Sequence, residues 1–125
     1  MDYRDIEFLL TGDIDRVGEQ TLVDEALPLD CEVLKVAHHG SRSSSSREFL
    51  SAVRPQLAVI MCGRNQYGHP HYETLDRLGD VGAAVVRTDR VGTVTVRTDG
   101  RCYWMETMRS RAVYAGEPEG MDALQ

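Results

Sequence analysis

Three short apolar runs, each ending in an abrupt polar signature, mark out the first half of the chain. Ile6 to Leu10 ends in Thr11-Gly12-Asp13, Val33 to Ala37 runs into His38-His39-Gly40-Ser41, and Leu57 to Met61 leads through a loop to Gly68-His69-Pro70-His71. Continuous apolar runs of this length suit strands buried on both faces of a sheet. Helical spacing fills the intervals. Leu22, Val23, Ala26 and Leu27 share one face of a helix starting near Arg16 and stopped by Pro28. Ser45 followed by Glu48 forms a capping-box pattern ahead of Phe49, Leu50 and Val53, with Pro55 closing that helix. A third helix is predicted from Pro70, at a favoured first position, and directs Tyr72, Leu75 and Leu78 to the core. Beyond Gly82, Ala83 to Val86 and Val91 to Val96 read as strands, the latter with period-two alternation. Asp99-Gly100 is a hairpin turn returning through Cys102 to Met105. The order β-α-β-α-β-α followed by a β-hairpin region predicts an α/β layered domain over residues 1–107. The remainder, 108–125, reads as an acidic, disordered tail.

Composition changes this picture little. At 125 residues, with 42% hydrophobic and 27% charged positions, the chain is sized for one soluble domain. A net charge of −6 argues against a nucleic-acid surface built on clustered cations. It leaves open phosphodiester chemistry in which metal ions supply the positive charge. No run approaches the roughly 18 apolar residues of a membrane span, and the N-terminus has no secretory signal. An isolated chain of this kind is expected in the cytoplasm. Cys31, Cys62 and Cys102 are scattered and read as reduced structural thiols.

The candidate chemistry lies in the polar signatures. All four histidines fall in the second and third of them. In α/β folds, function gathers at the C-terminal ends of parallel strands, so Asp13, His38, His39, His69 and His71 are expected to face one cleft. Imidazole and carboxylate are ligands for Zn or Mn. Taken singly, each signature has a structural reading as well: Asp13 as a turn residue, His38-His39 as a backbone-bonded pair, and His69-Pro70-His71 as a helix start. The serine run at Ser43 to Ser46 is read as helix capping. For Ser41, capping and substrate contact stay open.

The runs Phe8 to Ile14, Leu34 to Ser45 and Asn65 to His71, continued through Arg87-Thr88-Asp89 and the hairpin, resemble the metallo-β-lactamase domain of ComEC-type DNA-internalisation proteins and their free-standing relatives. The likeness extends from about Ile6 to Gly100. It implies the C-terminal half of an αββα sandwich and a metal-dependent hydrolase, with phosphodiester bonds favoured in a DNA-uptake setting. It implies that Asp13 bridges two metal ions and that His69, or alternatively His71, completes the second ion's shell. His38 and His39 would contact the scissile phosphate or donate a proton, with His38 also a possible direct ligand. Gly40 and Ser41 would approach substrate.

The family's His-x-His-x-Asp-His motif is absent, and no histidine stands among the twelve residues before Asp13. The expectation is therefore a fragment with an incomplete two-metal site, inactive alone. It would need the other half of the domain as partner, act on DNA or another phosphodiester, and belong to a parent that is often membrane-associated. Only one of the two sheets is expected, with the hairpin beside it. A non-catalytic interaction module, which could form a homo-oligomer, is the alternative; a small-molecule hydrolase of the same fold is a weaker one.

Overall fold

The computed structural model describes residues 1–108 and, as backbone, 111–114. Strands β1 (Asp2–Tyr3), β2 (Ile6–Leu10), β3 (Val33–Lys35), β4 (Leu57–Ile60) and β5 (Ala84–Arg87) form one sheet in that order. β2 to β5 run parallel, with β1 antiparallel at the edge. Helices α1 (Arg16–Asp24), α2 (Arg47–Val53) and α3 (Tyr72–Asp80) make the crossovers, and the short α4 (Thr88–Val91) follows β5. Strands β6 (Val94–Thr98), β7 (Tyr103–Thr107) and β8 (Arg111–Tyr114) form a separate antiparallel sheet. The architecture is α/β, as the hydrophobic pattern predicts.

Period-two alternation explains why the central strands read as continuous apolar runs. Ala58 and Ile60 of β4 face the helices, packing with Leu34, Val36, Phe49, Leu50, Val53 and Leu78. Leu57 and Val59 face the other way, with Ile6, Val33, Tyr103 and Met105. Each large side chain so buried stabilises the fold by about 1.5–3 kcal/mol. The second core corrects one expectation. The hairpin sheet does not lie beside the first sheet but stacks on it, because Val94, Val96, Tyr103 and Met105 present an apolar face that only the exposed side of β2–β4 can cover.

Local boundaries differ in four places. Helix α1 ends at Asp24, where the Glu25 N–H bonds back to the Thr21 and Val23 carbonyls; Ala26 then turns left-handed at φ 54° and Leu27 is exposed, so Pro28 is not the stop. The N-cap of α2 is Ser46, whose hydroxyl accepts from the Phe49 N–H, one residue later than the capping-box spacing suggests. Pro70 precedes α3 rather than opening it. His71 takes the N-cap position with its N–H on the Gly40 carbonyl, which leaves Tyr72 exposed while Leu78 is buried. The turn of α4 delays β6 to Val94. Residues 111–114, assigned to the tail by composition, pair with β7; the rest of the tail lies outside the described residues.

The shift at α2 has a physical cause in Glu19. This carboxylate is fully buried and accepts the backbone N–H groups of Ser45 and Ser46 at 2.5 and 3.0 Å, holding Ser45 left-handed at φ 57°. It ties α1 to the start of α2. Cys31 is likewise buried, and burial pushes its thiol up to about 12, which suits an inert structural thiol. Replacing Glu19 by Ala leaves one buried and one partly buried N–H group without acceptors. Glu19→Ala is expected to lower unfolding stability by about 3 kcal/mol in urea denaturation; a loss under about 1 kcal/mol would remove Glu19 from this role.

Candidate functional site

The C-terminal ends of β2, β3 and β4 are stitched together by the loops that follow them. Thr11 Oγ1 donates to the Lys35 carbonyl at 2.6 Å, and the His38 N–H donates to the Gly12 carbonyl at 2.9 Å. The His39 ring bonds the Met61 carbonyl at 2.7 Å, and the His71 N–H donates to the Gly40 carbonyl at 3.0 Å. Thr88 Oγ1 accepts from the Cys62 N–H and donates to the Cys62 carbonyl, both at 3.0 Å, joining the end of β5 to the loop after β4. Every polar signature singled out in the sequence therefore sits on one edge of the sheet.

Within that edge three imidazoles gather. The His38 and His69 ring centroids are 5.8 Å apart, and those of His69 and His71 are 4.8 Å apart, both edge-to-face. Burial, followed by the neighbouring rings of His71, His38 and His39, holds His69 below the usual imidazole range. His38 and His39 are both left-handed, at φ 52° and 55°, in the tight turn Ala37–Gly40. Such backbone costs a non-glycine residue about 1–3 kcal/mol and concentrates at functional sites. His38 Nδ1 is buried without a hydrogen-bond partner among the described residues, a rare arrangement that calls for a reason such as strain, catalysis or solvation.

The ring chemistry separates the histidines. The Met61 carbonyl can only accept, so His39 Nδ1 carries the proton, and Nε2 stands outside that bond. His71 Nδ1 accepts the Arg42 N–H at 2.9 Å, which leaves Nε2–H to donate to the Tyr67 carbonyl at 2.9 Å. Both His71 nitrogens are thereby committed to joining two loops. Asp13 is exposed on the turn beyond Gly12. Among the described residues, no three His, Cys, Asp or Glu side chains are gathered to hold a metal ion. The described residues do not by themselves fit a metal centre.

Gly40 and Ser41 have clear structural duties. A Cβ on Gly40 would lie 2.5 Å from Pro70 Cβ and 2.9 Å from its Cα, and Gly40 is left-handed at φ 86°. The Ser41 hydroxyl shares a 2.8 Å hydrogen bond with Ser43 Oγ and accepts the Ser43 N–H at 3.2 Å, while its carbonyl accepts from Thr74 Oγ1. Arg42 is exposed, and its carbonyl receives the guanidiniums of Arg16 and Arg77. Asn65 and Thr88 fall in the runs that carry the resemblance but receive no role from it; their side chains organise the loop after β4. The available signal was a small polar residue closely preceding a glycine-containing turn.

No family model matches the chain. It is 38% identical to ComE operon protein 3 of Bacillus subtilis over 97 residues, covering 77% of this chain and 12% of that protein. It is 43% identical to Recombination protein 2 of Haemophilus influenzae over 89 residues, covering 70% of this chain and 11% of that protein. With Competence protein ComA of Neisseria gonorrhoeae it shares 42% over 88 residues, covering 69% of this chain and 13% of that protein. The chain thus spans only about an eighth of the length of these relatives. Among the described residues, no helix is long and apolar enough to cross a membrane.

Two outcomes follow from the geometry. Gly40→Ala is expected to cost about 3 kcal/mol, from the collision with Pro70 and the left-handed backbone together, read as a lowered denaturation midpoint. His69 is held below its ordinary 6.5 in the folded chain. Folding therefore loses stability as the pH falls through that value, because the unfolded chain takes up the proton first. That acid-side loss should shrink in His69→Gln; an unchanged pH profile would contradict the packed histidine cluster.

By sequence, this chain is kin to one segment of the ComEC-type competence proteins.

Proposed function

We propose that the chain forms one wall of a metal-dependent phosphodiester hydrolase site in a competence protein concerned with DNA uptake. The observation that carries this reading is the convergence of His38, His39 and His69 on one sheet edge, with two successive left-handed histidines and a buried, unpartnered His38 Nδ1. Left-handed residues occur elsewhere in the chain, at Ala26 and Ser45, but only here do two histidines take that backbone in succession.

Within the reading, the residues divide by chemistry. Asp13 is exposed on the adjacent turn, and its carboxylate, together with further donors, would help hold divalent cations such as Zn or Mn. His69 would be the imidazole available to a metal, since His71 has both nitrogens engaged. His39, with Nδ1–H fixed on Met61, has Nε2 available to exchange a proton with a leaving oxygen, and His38 stands beside His69 to contact the phosphate. Gly40 holds the backbone close, and Ser41, itself buried and hydrogen-bonded to Ser43, would meet substrate only by giving up that bond. The remaining donors would come from beyond the described residues, in the manner of a His-x-His-x-Asp-His motif.

The test joins this chain to a segment bearing that motif and measures metal-dependent cleavage of a phosphodiester. Asp13→Ala and His69→Ala are each expected to lower kcat by at least about 100-fold. Full activity in both variants would sink the reading and favour a docking role for the same surface.

A further inference from the structure

We propose that Asn65 is the positioning residue that fixes His69 in the histidine cluster, through a single carboxamide that saturates all four of its hydrogen-bonding capacities. Asn65 Oδ1 accepts the N–H groups of Tyr67 and His69, each at 3.0 Å. Its Nδ2 donates to the carbonyls of Gly63 and His69, each at 2.9 Å. An amide group has two acceptor sites and two donors, and here each is used once. Both backbone polar groups of His69 are bound to the same side chain. The residue is thereby clamped at its N–H and its C=O, which fixes the backbone from which its ring reaches His38 and His71.

The surroundings leave this task to Asn65. The loop from Met61 to Gly68 has mainly exposed residues and no helix or strand of its own, so backbone ladders do not hold it. His71 Nε2–H bonds the Tyr67 carbonyl from outside, while Asn65 holds the Tyr67 N–H from within. The result is a loop pinned at the peptides flanking His69. Aspartate is isosteric but cannot substitute. It would keep the two accepted N–H bonds and set a carboxylate oxygen against the Gly63 and His69 carbonyls.

The proposal rests on the hydrolase reading only for the purpose of the clamp; the clamp itself is testable in the 125-residue chain. Ring-to-ring NMR cross-relaxation between His69 and both His38 and His71 reports the position of the His69 ring directly. In Asn65→Ala these cross-peaks are expected to vanish while amide protection of Leu78 in the core stays at its starting level. Asn65→Asp is expected to weaken them as well, and Gln66→Ala, an exposed neighbour in the same loop, to leave them intact. Retained cross-peaks in Asn65→Ala overturn the proposal, as does their loss in Gln66→Ala, which would mean that the loop is fragile at any position. In the joined, active polypeptide, Asn65→Ala is expected to lower kcat by about tenfold or more with KM little changed. Lost cross-peaks with unchanged kcat would sustain the clamp and overturn the role of His69 in hydrolysis.

Discussion

Burial of β3 and β4 on both faces is the constraint from which the rest of the molecule follows. Helices α2 and α3 cover one side of these strands and the hairpin sheet covers the other, so their side chains are committed to two apolar cores and their backbone groups to parallel ladders. A strand in that position has no free polar surface along its length. Chemistry can be offered only where the ladder stops, and in a parallel sheet the C-terminal ends stop together on one edge. The polar signatures after β2, β3 and β4 are the consequence.

Loops leaving a buried strand must satisfy their backbone groups at once. Here they do so by bonding one another: Gly12 with His38, Met61 with His39, Gly40 with His71, and Thr88 with Cys62. This mutual satisfaction joins the segments after β2, β3, β4 and β5 into one rim. It also accounts for the division among the histidines. His71 is used up in building the rim, His39 is oriented by it, and His38 and His69 remain with ring nitrogens uncommitted to it. The close approach of Gly40 to Pro70 and the Asn65 carboxamide belong to the same economy, since each fixes backbone so that an imidazole need not.

The helical side is held by a different device with the same logic. Glu19 reaches from α1 to the N–H groups opening α2, an internal bond replacing the water that a serine-rich loop would otherwise require. The loop from Ser41 to Ser46 is therefore locked on one side by a buried carboxylate and on the other by His71. Its serines act mainly on each other and on nearby backbone, through Ser41 with Ser43 and Ser44 with the Ile14 carbonyl.

The sequence by itself determined the α/β class, the strands at Ile6–Leu10 and around Val33 and Leu57, and the gathering of Asp13 and the histidines at strand ends. Those features follow from local hydrophobic periodicity and the geometry of parallel strands, which need no distant partner. Only the tertiary structure decided that the hairpin sheet stacks as a second layer, because that depends on which apolar face remains uncovered. It alone displaced the α2 cap from Ser45 to Ser46, since the deciding partner, Glu19, is 26 residues away. It alone separated His71 from His69, two histidines one residue apart with the same intrinsic chemistry. Their difference lies in bonds of the His71 ring to Arg42, 29 residues away, and to Tyr67, four away, and imidazole spacing carries no record of them.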